Sequence, residues 1–200
     1  MSRARNLLSL LALSVTLSLT FSVANAQSLR EPDDLRLAEH ASRTQHRVDV
    51  QQARLNALAP LGYSGDAQRE YRYASASAWL AFSFDARAQR DNRTARLALA
   101  HSTKLIELME AEDFTSQPPA PGIRIEAAVA TERLAAIEAM KHDEKLRCAP
   151  AHVARLEVAT LQAAHAHRLL GWRHARPYWL AVDELAAQVA PRFKHCKVPR

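Results

Sequence analysis

The two cysteines of this chain, Cys148 and Cys196, flank a segment whose sequence pattern predicts a helical hairpin. Pro150 suits the first turn of a helix, where a backbone N–H has no partner within the helix. From there to Leu170 no Pro or Gly interrupts an Ala- and Leu-rich run whose apolar residues lie on two stripes. Gly171 then predicts the end of the helix. A helix that is apolar on more than one side is usually buried on more than one side, so this one is predicted to lie inside the fold.

The second helix of this hairpin is predicted to start at Pro177 and to end at Pro191. Helices joined by a short turn lie antiparallel, which brings Cys148 and Cys196 together. A redox or metal-binding pair is the alternative, but neither cysteine lies in a CxxC motif. We therefore predict a structural disulfide, which would stabilise the fold by about 3–4 kcal/mol because it restricts the unfolded chain.

The composition predicts an all-α fold, because alanine is abundant, β-branched runs are absent and only 4 residues are glycine. About six helices are expected, arranged as a helical bundle or as a short solenoid-like stack of helical hairpins. They are predicted to form one domain, residues 27–200, with a long N-terminal helix (27–60), a helical hairpin (66–112) and C-terminal helices (123–200).

The long N-terminal helix is predicted over residues 31–59 and carries a narrow apolar seam with a polar middle. Such a seam either packs on the rest of the domain or pairs with another chain, and both possibilities stay open. The seam repeats at alternating steps of four and three residues: Leu37, Ala41, Thr44, Val48, Gln51, Leu55 and Leu58.

Capping residues predict where the next helices begin. Asp66 is predicted to cap a helix that runs to about Gln89, and Asp91 or Asn92 is predicted to cap the one after it. The Pro-rich segment 113–122 predicts the longest linker of the chain and separates the helices into two groups.

The first residues have the pattern of a secretory signal peptide. Arg3 and Arg5 precede a long apolar run, which ends in a small-residue cleavage site at Ala26. Residues 1–26 are therefore predicted to be removed, and the mature protein is expected in the periplasm. That compartment is oxidising, so the predicted disulfide is chemically possible there.

The charge balance restricts the partners. Without Arg3 and Arg5, 25 basic residues remain against 21 acidic ones, a net charge of +4, and no dense Lys/Arg run occurs. Nucleic acid is not expected as a partner, since the chain is predicted to be exported and carries no such motif. No segment after the signal peptide is apolar enough to predict a transmembrane helix.

No catalytic motif is present: the sequence contains no Gly-rich phosphate loop, HExxH, G-x-S-x-G or EF-hand pattern. Its 9 histidines include no pair four residues apart, the spacing that would direct both rings to one metal from one helix. We therefore predict no catalytic residue, no metal ligand and no cofactor. Glu157, if it lies near Arg168, Arg173 or Arg176, would form either a structural ion pair or an acid–base site, and the ion pair is favoured.

The turn "GWRHARPYW" holds the densest group of residue types that dominate binding hot spots. It is the candidate binding site, although the aromatic side chains Trp172 and Tyr178 could instead close the end of the helical stack while the arginines stay solvated. The candidate residues are Trp172, Arg173, His174, Arg176, Tyr178 and Trp179.

Two segments, "YRYASASAWLAFSFDARAQRDNRTARLALAHSTKLI" and "LEVATLQAAHAHRLLGWRHARPYWLAVDELA", resemble the helical N-terminal region of some proteobacterial OmpA-family envelope proteins. The resemblance covers roughly residues 68–190. It implies an envelope location and an accessory or binding role, with no catalytic residues. The C-terminal peptidoglycan-binding domain of that family is not expected in this chain, which ends at Arg200, so peptidoglycan anchoring is not implied.

The sequence thus predicts an exported, non-enzymatic helical protein of the cell envelope. Its expected role is a protein–protein interaction or accessory module, with an unknown envelope protein or peptide as its partner. The alternative is a periplasmic protein that binds a small molecule or a metal ion through its histidines.

Overall fold

Long helices follow from a sequence in which Gly and Pro are confined largely to the turns. The structure is a computed structural model that describes residues 32–59 and 65–197. These residues form six α-helices, one short 3-10 helix and no strand, which confirms the predicted all-α class. The elements are α1 (Pro32–Leu58), α2 (Ala67–Ala88), α3 (Asn92–Glu110), α4 (Ala127–Lys141), the 3-10 helix (Glu144–Cys148), α5 (Pro150–Leu170) and α6 (Trp172–Lys194).

The chain divides into two units, residues 1–45 and residues 46–200. In the first, the described part is the beginning of α1, where Glu39 and Arg43 form an exposed ion pair one helical turn apart. The predicted signal peptide and its cleavage site lie outside the described residues.

Helices α2 and α3 form an antiparallel hairpin whose ends match the predicted caps. Asp66 accepts hydrogen bonds from the first backbone amides of α2, and Asp91 accepts one from the backbone N–H of Thr94 in α3. The turn between the helices closes with Arg90 in the left-handed region, at φ 62°. Glycine usually occupies such a position, so an arginine there is strained.

Two buried clusters share α5 as a common wall. The first joins the second half of α1, α2 and α3, with Trp79, Leu80 and Ile106 buried and Val158 of α5 packed beside them. The second joins α4, the 3-10 helix, α5 and α6. Because α5 faces both clusters, its apolar residues lie on two stripes, as the sequence predicted.

Helices α5 and α6 form the predicted antiparallel hairpin, with a link of one residue. Gly171, at φ 74°, ends α5 and begins α6 directly, so α6 starts earlier than predicted. At the other end the sulfurs of Cys148 and Cys196 lie at bonding distance, with their Cα atoms 5.8 Å apart. The pairing predicted for the last hairpin is therefore confirmed.

The predicted limits of α6 were wrong at both ends, because Pro177 and Pro191 lie inside the helix. Each proline removes one helical hydrogen bond, normally at a cost of about 3 kcal/mol. Here the carbonyls that lose their donors belong to Arg173 and Ala187, both exposed residues to which water has access. The helix also continues past Pro191 because Phe193 packs against the second cluster.

Candidate functional site

The turn between α5 and α6 exposes large apolar side chains. Leu169 and Leu170 end α5 with 44% and 45% of their surface exposed, and Trp172 begins α6 with 58% exposed. A one-residue link leaves no loop to cover them. Exposed apolar groups that adjoin one another in this way are typical of interaction sites.

Local contacts hold Leu169, Leu170 and Trp172, the apolar tip of the hairpin, in place. The ring of Trp172 lies 5.8 Å from the ring of His167, one turn earlier along the hairpin. His174 donates from Nδ1 to the carbonyl oxygen of Leu170 at 3.2 Å, across the link. The tip is therefore an ordered surface, since both helices contribute to its contacts.

Three arginines surround the apolar tip: Arg168, Arg173 and Arg176 are all exposed. Within the part of the chain that the structure describes, none of them forms an ion pair with a carboxylate. Arginine combines a charge with a flat face that packs on apolar groups, and it is enriched in binding hot spots. The tip is thus apolar at its centre and basic at its edge.

The structure separates the six predicted site residues into three groups. Trp172, Arg173, His174 and Arg176 lie at the exposed tip, while Tyr178 is half-buried and its hydroxyl accepts a hydrogen bond from Gln89 Nε2 at 2.5 Å.

Trp179 lies in the second buried cluster, under the guanidinium of Arg133 at 5.4 Å. It is therefore part of the core and not of the surface. The signal that separates it from Trp172 is helical spacing: Trp179, Val182 and Val189 lie on one face of α6, and all three are buried.

A cavity of about 330 Å³ lies beside the tip, and the sequence did not predict it. The turn between α2 and α3, the first turns of α3, the segment 122–124 and the end of α5 line it. Arginines are frequent among its lining residues, which include Arg90, Arg93, Arg124 and Arg168.

His165 forms the inner wall of this cavity and is buried. Its Nδ1 lies 2.8 Å from the carbonyl oxygen of Arg124, and its Nε2 lies 2.9 Å from Asp91 Oδ2 and 3.2 Å from Thr94 Oγ1. A carbonyl and a carboxylate both accept hydrogen bonds, so each ring nitrogen of His165 faces an acceptor.

Asp91 is the anionic partner in this arrangement. Partial burial opposes its charge, but hydrogen bonds from Thr94 and His165 outweigh that effect and hold the pKa of Asp91 below its usual range. The arrangement differs from a Ser–His–Asp triad, in which the carboxylate and the hydroxyl lie at opposite ring nitrogens. Here Asp91 and Thr94 both face Nε2, and the backbone holds Nδ1.

A second polar cluster lies about two turns earlier on α5. Glu157 accepts a hydrogen bond from the hydroxyl of Tyr71 and pairs with Lys141 at 3.1 Å. The partner of Glu157 is thus a lysine and not one of the arginines considered from the sequence. Burial raises the pKa of Tyr71, and the negative charge of Glu157 raises it further. This cluster is an internal tie between α2, α4 and α5.

Among the histidines that the structure describes, none joins a metal-binding cluster. Residues 32–59 and 65–197 contain no group of three or more His, Cys, Asp or Glu side chains that could hold a metal ion. His101 is half-buried, with its ring 4.8 Å from that of Trp79. Burial lowers the pKa of His101, although a hydrogen bond with the backbone of Pro119 opposes the effect.

The chain matches no protein-family model, no curated protein and no solved structure. Within the described residues, no helix combines the length and the apolar character needed to cross a lipid bilayer.

Proposed function

We propose that this protein is an exported, non-enzymatic binding protein of the cell envelope, which docks an acidic segment of a partner protein at the α5–α6 turn. The observation that carries the proposal is the exposure of Trp172, Leu169 and Leu170 at an ordered turn. The predicted signal peptide and the resemblance to the helical region of OmpA-family proteins support the location.

The chemistry of the partner follows from the edge of the tip. Arg168, Arg173 and Arg176 carry positive charges that no carboxylate neutralises within the described residues. Acidic side chains on a partner would neutralise them, while apolar side chains of the same segment would cover Trp172. An acidic segment with apolar residues therefore fits both parts of the surface.

The test is recovery of the partner from a cell-envelope extract of the producing organism, with the wild-type protein and the double variant Trp172→Ala, Arg176→Ala as bait. We expect one protein to be recovered with the wild type and lost with the double variant. That protein, purified separately, should bind saturably, and a peptide with its acidic segment should compete.

Leu180→Ala is the matched control, because Leu180 lies on the same helix and is as exposed as Trp172, at 58%. It should recover the partner as the wild type does. The proposal is wrong if the double variant recovers the same protein, or if Leu180→Ala loses it to the same extent.

A further inference from the structure

The arginine-lined cavity next to His165 adjoins the surface used by the proposed docking and shares Arg168 and Leu169 with it. Its volume of about 330 Å³ falls at the lower end of the range of small-molecule sites, which is about 300–1,000 Å³. Its walls combine several charged side chains with the apolar side chains of Leu97 and Leu169. A cavity of this kind is large enough for a ligand with a charged head and a small organic body.

The lining arginines of the cavity are not paired with carboxylates of the described residues. Arg90, Arg93 and Arg124 have no ion pair or side-chain hydrogen bond to any described residue. Arg168 donates from Nε to the carbonyl oxygen of Arg124 at 3.3 Å, an acceptor that carries no charge.

The single carboxylate among the lining residues, that of Asp91, is already engaged. Its Oδ1 accepts from the backbone N–H of Thr94, and its Oδ2 accepts from His165. Asp91 is therefore engaged by Thr94 and His165, and its one carboxylate cannot balance four arginines. A ligand that balances them has to carry more than one negative charge.

We propose that this cavity binds a small phosphomonoester. A phosphomonoester carries close to two negative charges on three terminal oxygens, which suits several guanidinium groups that approach from different sides. The apolar contact with Leu97 and Leu169 accommodates the organic body of the ligand. A soluble phosphomonoester and the head group of a phosphatidate lipid share this chemistry.

The test is calorimetric titration of the purified protein, with its disulfide intact, against glycerol 3-phosphate and against inorganic phosphate at constant ionic strength. We expect saturable binding of both to one site per chain. Arg93→Ala and Arg124→Ala should each weaken binding about tenfold, the usual loss for one charge-assisted contact. Melting curves of the variants check that they are folded.

Arg96→Ala is the matched control, since Arg96 is exposed one turn further along α3 and does not line the cavity. It should leave the affinity unchanged. The proposal fails if neither phosphate compound binds saturably, or if Arg96→Ala weakens binding as much as Arg93→Ala does.

Vesicles distinguish the two sources of the phosphate. The ligand is the head group of a lipid if phosphatidate vesicles sediment the protein and phosphatidylcholine vesicles do not. In that case the double variant Arg93→Ala, Arg124→Ala should stay in the supernatant of the phosphatidate vesicles. If only the soluble esters bind, the ligand is a free metabolite. Retention of the double variant on phosphatidate vesicles to the same extent as the wild type would contradict the assignment.

Discussion

The two ends of the α5–α6 hairpin differ in how far their side chains are buried and paired. At the cysteine end, the disulfide between Cys148 and Cys196 ties the helices, and Leu146 and Val189 are buried beside it. At the turn end, large apolar side chains are exposed and arginines lack carboxylate partners among the described residues.

The difference shows how one hairpin can serve two purposes. At the cysteine end, the apolar side chains are buried within the molecule. Substitutions there should therefore alter the free energy of unfolding. At the turn end, apolar side chains are exposed and arginines have no carboxylate partner among the described residues. Substitutions there should therefore alter binding. The predictions below test whether this division holds.

The two tryptophans of α6 provide the sharpest test of the comparison. Trp179→Ala should destabilise the protein by about 3–5 kcal/mol, because it empties a buried site. Trp172→Ala should change stability by less than about 0.5 kcal/mol, because its side chain is mainly exposed. Urea unfolding followed by circular dichroism measures both. Equal losses of stability in the two variants would show that Trp172 is part of the core as well, and that the two ends of the hairpin do not differ in this way.

Reduction of the disulfide should lower the free energy of unfolding by about 3–4 kcal/mol, since the bond closes a long loop in the unfolded chain. Unfolding with and without reductant measures the loss, and the variant Cys148→Ala, Cys196→Ala should reproduce it without reductant. Binding at the α5–α6 turn should survive under conditions where the reduced protein is still folded. A loss of binding in the folded, reduced protein would show that the two ends are coupled.

The acid dependence of stability tests the role of Asp91 at the cavity. Its pKa is depressed in the folded state, so its contribution is present above the usual carboxyl pKa of about 4 and is lost as the pH falls through the folded value. Asp91→Asn keeps a good helix cap but loses the charge, and it should destabilise the protein by about 1–2 kcal/mol at neutral pH.

The difference in the free energy of unfolding between Asp91→Asn and the wild type should become smaller in acid, because the wild-type carboxyl becomes protonated. Urea unfolding at a series of pH values measures it. Asp85→Asn is the control, because Asp85 is an exposed carboxylate that accepts a hydrogen bond from Gln162 at 2.7 Å. A difference in the free energy of unfolding that stays constant with pH would contradict the depressed pKa of Asp91.

The smallest expected effect concerns the two strained turns. Arg90 and Glu112 both have positive φ, at 62° and 53°, so replacing either by glycine should stabilise the protein by about 0.5–1 kcal/mol. Only Arg90→Gly should weaken the binding of glycerol 3-phosphate, because Glu112 does not line the cavity. Melting temperatures and calorimetric titration measure the two effects. An unchanged affinity in Arg90→Gly would remove that arginine from the site.

The parts of the fold that follow from local chemistry could be predicted from the sequence. Asp66 and Asp91 cap helices as expected, since a carboxylate next to the first free amides needs no distant partner. Gly171 ends α5 because it tolerates a positive φ. The apolar stripes of α5 predicted its position between two clusters.

Local rules failed where tertiary contacts outweighed them. Pro177 and Pro191 predicted helix boundaries, yet the burial of Trp179 and Val189 on the inner face keeps α6 continuous through both. The same turn was predicted as one binding cluster, but the early start of α6 turns Trp179 towards the core and leaves Trp172 outside.

The sequence by itself determined the helical class and the pairing of Cys148 with Cys196, because each depends on residues close together or on simple hairpin geometry. The cavity required the tertiary structure. Asp91 and His165 are 74 residues apart, and only the packing of the two hairpins brings them within hydrogen-bond distance. No local pattern encodes that distance, since it depends on how side chains from separate helices fill one core.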